Sequence, residues 1–193
     1  MDSKRSVCLL YIERGMLSMK KLLVLALALI LSTTLIAGAM ADTLGLGVVT
    51  SIGSSKAATA EADGVAQVNT TICTVTVDDN GVITAAIFDV AQTKVGFNAK
   101  GEITADLAAK FQSKQELQDA YGMRKASPIG KEWFEQAEAL SAFCAGKTLE
   151  EVLAGVSEDK NSAVAEDLKA GATMHLVELI EALEKAYAAA TAK

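Results

Sequence analysis

The chain has 193 residues, of which 51% are hydrophobic and 22% charged, and its formal net charge is −6. This composition excludes a disordered polymer, and the acidic balance argues against a protein that binds the phosphate backbone of nucleic acids. One histidine and three cysteines leave little material for a zinc site. We therefore predict neither a nucleic-acid partner nor a bound metal.

The first segment of the chain has the pattern of a targeting sequence. An unbroken apolar run at 22–31 follows two lysines at 20–21, and the segment ends on Ala-Met-Ala at 39–41. A positive start, a short apolar core and a small-x-small exit are typical of a secretory signal peptide. We predict that residues 1–41 are a leader and signal peptide, with Met19 (or Met16) as the true start. An uncleaved membrane anchor is the alternative.

Cleavage near Ala41 would release an acidic protein. Residues 42–193 keep 13 of the 18 basic and 22 of the 24 acidic residues, a net charge of −9. Because no cysteine stands at the exit of the signal, we predict export without a lipid anchor. The expected location is extracytoplasmic, either secreted or associated with the cell envelope.

Residues 42–63 are rich in Gly, Ala and Ser, which predicts a linker or edge segment with one short strand. The next stretch alternates Val, Thr and Ile with period two, which is the clearest strand signal in the chain. Asp78-Asp79-Asn80-Gly81 then predicts a tight turn, since Asn-Gly tolerates a positive φ. The predicted strands are 48–52, 65–77, 82–90 and 93–97.

The period then changes to that of helices. Ser113 to Glu116 and Thr148 to Glu151 are capping boxes, in which each end satisfies a free amide of the first turn. The predicted helices are 103–111, 113–121, 131–145, 148–153 and 174–190. Strands followed by helices predict an α+β fold: an antiparallel meander, then several helices, in a single domain over 64–193 with an amphipathic C-terminal helix.

The most informative stretch precedes that last helix and runs from Asp167 to Thr173. Gly171 and Ala172 have almost no side chain, so another molecule can approach the backbone closely. Thr173 is expected at or beside the helix N-terminus, where free amides and the helix dipole favour a phosphate.

This stretch, Asp167-Leu-Lys-Ala-Gly-Ala-Thr173, resembles the flavinylation motif of FMN-binding domains. Such domains occur in the C subunit of sodium-pumping NADH:quinone reductase, in its Rnf-type relatives and in extracellular flavoproteins of Gram-positive bacteria. In that family a flavin transferase attaches FMN through its phosphate to the final Thr or Ser. The resemblance implies that Thr173 is the attachment residue, Asp167 the leading acid, and Gly171 and Ala172 the small pair.

Two positions depart from the family pattern, because Ala170 replaces a Ser or Thr and Met174 replaces a frequent hydroxyl residue. The resemblance extends more loosely over 64–190, where 121–123 and 129–137 are similar to exported clostridial FMN-binding proteins. It implies an exported electron carrier, rather than an enzyme with its own substrate. The implied partners are the transferase and membrane or extracellular redox proteins.

The alternative is a flavin-free secreted or envelope domain that binds a ligand or a protein on the same scaffold. Thr173 would then be a helix N-cap. His175 either contacts a flavin phosphate or faces solvent. Cys73 and Cys144 either form a disulfide or are buried small hydrophobes. Three aromatic residues either stack on a flavin or belong to the core. They are Tyr121, Trp133 and Phe134.

Overall fold

Three antiparallel strands open the part of the chain that the computed structural model describes, residues 42–192. The strands are β1 (Thr43–Ser51), β2 (Gly64–Val77) and β3 (Ile83–Phe97), and they lie side by side in the order β1-β2-β3. Several helices follow them, so the predicted α+β class and the strand meander are confirmed.

The turn between β2 and β3 has the predicted position and chemistry. The Asp78 carboxylate oxygen Oδ1 accepts the backbone N–H groups of Asn80 at 2.9 Å and Val82 at 2.8 Å. Gly81 has a φ of 79°, in the left-handed region that favours glycine. These local bonds close the hairpin, and the Tyr187 hydroxyl of the last helix also donates to the Gly81 carbonyl at 2.8 Å.

The strand β3 is a single element, so the prediction of two strands at 82–90 and 93–97 is wrong. β2 is long enough to pair with it over nearly its whole length, from Gly64 opposite Phe97 to Val77 opposite Ile83. No glycine, proline or asparagine interrupts the chain at 91–92. β1 is also longer than predicted, and it forms one edge of the sheet.

The predicted helix at 103–111 is absent, and this stretch is irregular. Its apolar stripe meets no surface, since Ile103, Leu107 and Phe111 are 56%, 80% and 47% exposed. The backbone of Ile103 instead bridges to Phe97 beyond the end of the hairpin. An apolar stripe stabilises a helix only where the fold offers it a surface to cover.

The two capping boxes are confirmed, and each opens a short helix. A one-turn α4 (residues 166–171) that the sequence patterns did not predict lies within the motif stretch. The last helix begins at Val177, three residues later than predicted, with Leu176 as its N-cap. The helices are α1 (Lys114–Leu117, continued by a 3-10 turn at Gln118–Tyr121), α2 (Trp133–Cys144), α3 (Leu149–Leu153), α4 (Glu166–Gly171) and α5 (Val177–Thr191).

The core lies between one face of the sheet and two helices. α5 packs on β1 and β2, and α2 packs on β3. Gly45 and Gly47 let β1 touch the backbone of α5 directly. On the opposite face of the sheet, Leu46 and Ile87 are exposed. The largest core side chains that are less than 2% exposed include Phe88, Ile83, Leu140, Leu168, Leu176, Ile180 and Leu183.

No helix within residues 42–192 combines the length and the apolar character needed to cross a membrane. The predicted signal peptide at 1–41 lies outside the described residues, so export and cleavage stay predictions.

The two cysteines of this region, Cys73 and Cys144, are buried free thiols. Burial raises the pKa of Cys144 from its ordinary value of 9.0 to about 12. Burial, reinforced by the neighbouring Cys144, also raises the pKa of Cys73. Above pH 9, therefore, the two thiols keep their protons in the native chain, whereas they release them in the unfolded chain.

We therefore expect the free energy of unfolding to fall as the pH rises above about 9, by up to roughly 1.4 kcal/mol per pH unit for each thiol. Urea unfolding at about pH 8 and about pH 10 measures this slope. The double variant Cys73→Ala/Cys144→Ala should lose stability less steeply than the parent over this range. If stability fell equally steeply with pH in the two proteins, the pH dependence would not come from the two buried thiols.

Candidate functional site

Thr173 lies in the short connection between α4 and α5, and a buried glutamine of α2 holds that connection in place. Gln136 is 0% exposed, and its Oε1 accepts the backbone N–H groups of Thr173 at 2.8 Å and Met174 at 3.0 Å. Its Nε2 donates to Ser127 Oγ and to the Lys131 carbonyl, both at 3.1 Å. One side chain thus links two stretches that lie about forty residues apart in the chain.

The position of Thr173 differs from the expected one at a helix terminus. The N-cap of α5 is Leu176, so both the expectation of Thr173 beside free helix amides and the alternative of Thr173 as N-cap are wrong. The Thr173 amide is already bound by Gln136. Thr173 as a residue is nevertheless exposed, and its hydroxyl donates a long hydrogen bond of 3.4 Å to the same Gln136 Oε1.

The Thr173 side chain borders a cavity of about 330 Å³, called here the Thr173 cavity. This volume is at the lower end of the range for small-molecule sites, roughly 300–1,000 Å³. Tyr121 and Trp133 contribute aromatic walls, while Lys114, Ser127 and His175 contribute polar groups. Of the aromatic candidates, Tyr121 and Trp133 line the cavity.

Lys114, at the start of α1, is the cation of this cavity. Its Nζ lies 4.8 Å from the centre of the Tyr121 ring and 5.1 Å from the centre of the Trp133 ring. Within residues 42–192 no carboxylate lies within 4.0 Å of it. The aromatic faces stabilise the ammonium group, yet its charge stays available to an anion.

One wall of the cavity is a loop that a second buried side chain stabilises. Glu132, only 2% exposed, accepts the backbone N–H groups of Met123 at 2.7 Å and Arg124 at 2.9 Å. The Arg124 guanidinium then pairs with Asp119 at 2.7 Å and Glu135 at 2.9 Å. These bonds fix Met123, which lines the cavity, relative to the start of α2.

The other residues implied by the resemblance lie away from this cavity. Asp167 is exposed in the first turn of α4, where its carboxylate accepts its neighbour's N–H at 3.0 Å. Gly171 is buried, and a Cβ built there would lie 2.5 Å from the Cβ of Ala139. Ala172 is 1% exposed. Gly171 is thus packed against helix α2 of the same chain, and among the four implied residues only Thr173 lines the cavity.

His175 is exposed and precedes α5 rather than lying on it. Its Nδ1 is 2.8 Å from Asn161 Oδ1. The ring borders the Thr173 cavity and a smaller adjoining cavity of about 180 Å³, which also share Lys114 and Trp133. Within 42–192 the structure brings no three His, Cys, Asp or Glu side chains together in a metal-binding arrangement.

Two residues of the site were missed by the sequence patterns. Gln136 falls on the buried stripe of α2 beside Trp133, Ala137 and Leu140, so a polar residue at a core position was the available signal. Lys114 offered no such signal, because a lysine in the first turn of a helix is usually predicted to be exposed to solvent. Its place between two rings depends on how α1 packs against α2.

The fold and site define a mixed α+β protein with an aromatic, cationic cavity beside an exposed threonine. No family model, no curated protein and no solved structure matches the chain. The resemblance to FMN-binding domains therefore stays a prediction.

Proposed function

We propose that this protein is an exported electron carrier that holds FMN through a phosphoester with Thr173. The observation that carries the proposal is the exposed Thr173 side chain on the rim of a cavity with aromatic walls. A flavin transferase would attach the group, and membrane or extracellular redox proteins would exchange electrons with it. Bound FMN would supply the redox chemistry.

The residues around Thr173 fit such a group. Lys114 and His175 are the groups available to a phosphate there, in place of the helix amides that the sequence suggested. The half-buried Tyr121 offers flat apolar surface to a ring system, whereas Trp133 is only 3% exposed and presents little of its ring. Gln136 holds the Thr173 backbone still, which positions the hydroxyl for modification.

Attachment needs an activated donor, and a phosphoanhydride of FMN supplies one. The Thr173 Oγ1 forms the new bond to the flavin phosphorus while the anhydride P–O bond breaks. The second phosphate-bearing half leaves, and the hydroxyl proton passes to solvent or to a base on the transferase. No electrons change hands in this step.

Replacement of Thr173 by Val is expected to abolish covalent flavin while the fold survives, because Thr173 is exposed and its backbone bonds remain. The protein would be co-expressed with a flavin transferase and exported. Intact mass and fluorescence on a denaturing gel would then be read. The matched control is Thr93→Val, at an exposed strand position.

The proposal predicts a mass increase of one phosphoester-linked FMN in the parent and in Thr93→Val, mapped to the peptide that holds Thr173. Flavin retained by Thr173→Val would refute the attachment site. An unmodified parent would favour the flavin-free binding domain. That alternative is supported by one observation, namely that Gln136 already binds the Thr173 amide.

A further inference from the structure

A second cavity, of about 400 Å³, lies between the end of β3 and the segment 110–121. We call it the lysine cleft, after Lys94, Lys110 and Lys114, which line it. We propose that the lysine cleft binds a small planar aromatic molecule that carries two or more negative charges. A nucleotide and a sulfonated or carboxylated quinone share this chemistry.

The charge of the cleft is opposite to that of the domain around it. Residues 42–193 have a net charge of −9, yet three lysines and no Asp or Glu line this cavity. Within the described part of the chain, none of the three ammonium groups has a carboxylate within 4.0 Å. Their mutual repulsion is relieved when an anion binds between them.

The cleft also offers surface to an aromatic ring. Phe111 is 47% exposed although it is large and apolar, and it lines the cleft with the half-buried Tyr121. Exposed aromatic faces stack on planar ligands, and their burial on binding is favourable. Gln92 and Gln112 also line the cleft with amide groups, which can hydrogen-bond polar atoms of a ligand, although the Gln92 Nε2 already donates to Asn69 Oδ1 at 3.3 Å.

Size favours a small molecule over a polymer, since about 400 Å³ lies within the usual range for small-ligand sites. The lysine cleft does not include Thr173, and Lys94 and Lys110 do not line the Thr173 cavity. Lys114 and Tyr121 line both cavities, so the two proposals share these residues and are separated by mutation at Lys94, Lys110 and Phe111, which line only the lysine cleft.

The test is calorimetric titration of the full chain with three probes: ATP, anthraquinone-2,6-disulfonate and inorganic pyrophosphate. At least one aromatic anion should bind, and more tightly than pyrophosphate. The aromatic probe that binds more tightly shows which class of ligand the cleft prefers, a nucleotide or a quinone. Lys94→Gln/Lys110→Gln should weaken that binding by roughly tenfold. Lys56→Gln/Lys100→Gln, at two exposed positions outside the cleft, changes the net charge equally and should leave the affinity nearly unchanged.

Phe111→Ala measures the contribution of the aromatic ring to binding separately from that of the lysine charges. Because Phe111 is half exposed, this variant should fold, lose affinity for the aromatic probe and keep its weak affinity for pyrophosphate. Three results would overturn the proposal: neither aromatic anion binds, pyrophosphate binds as tightly as they do, or the lysine pair proves irrelevant to binding. Covalent flavin at Thr173 should be the same in all of these variants.

Discussion

Replacement of Gly47 by alanine is expected to destabilise the fold by about 3 kcal/mol or more, at the upper end of the cost of overpacking. The added Cβ would overlap the carbonyl oxygen of Ala182 and lie 2.6 Å from the backbone nitrogen of Ala186. Both obstacles are backbone atoms of α5, so no side chain can rotate away. The helix has to move off β1, and it takes the neighbouring core side chains with it.

Thermal unfolding followed by circular dichroism measures this effect. For a domain of this size, about 3 kcal/mol corresponds to a fall in Tm of roughly 6–12 °C. The matched control is Gly53→Ala, where the nearest atom to the new Cβ is Ser51 Oγ at 3.6 Å. That variant should stay within about 0.5 kcal/mol of the parent. Similar Tm values for the two variants would show that α5 does not lie directly on β1.

The second large effect is expected at Gln136, whose replacement by leucine leaves the amides of Thr173 and Met174 without their acceptor. Each unsatisfied buried group costs about 1–3 kcal/mol. The Ser127 hydroxyl and the Lys131 carbonyl lose their donor in the same variant. We expect a loss of about 2–5 kcal/mol in the free energy of unfolding.

The same variant should loosen the connection that presents Thr173. Amide hydrogen exchange at 173–174 should therefore accelerate more than exchange in the strands. Glu138→Leu, on the exposed side of the same helix, is the matched control and should leave both stability and this exchange unchanged. Unaltered exchange at 173–174 in Gln136→Leu would mean that the glutamine does not hold this segment.

Loss of this positioning also bears on the proposed function. If flavin is attached at Thr173, Gln136→Leu should lower the yield of covalent flavin even where the protein still folds, because the hydroxyl is no longer held in one place. A full yield in a folded variant would assign Gln136 to stability alone. The mass measurement described for Thr173→Val reads this outcome directly.

Sequence patterns were most accurate for turns and helix caps, whose hydrogen bonds join neighbouring residues. The Asp78–Gly81 turn and both capping boxes form as predicted. They were least accurate where packing against distant residues decides whether a helix forms and where it begins. The stripe from Ile103 to Phe111 satisfies the helical period, yet it finds no surface to cover and stays irregular. Helix α5 starts at Val177, and the amides of Thr173 and Met174 before it donate to the distant Gln136 side chain.

By itself, the sequence determined the α+β class, the hairpin turn and the helix caps. Each of these depends on hydrogen bonds or periodicity within a few residues, which local sequence specifies. Only the tertiary structure decided that Gly171 packs against Ala139 and that Lys114 lies between two rings. Those contacts join residues far apart in the chain, and their partners are chosen by how the helices pack on the sheet.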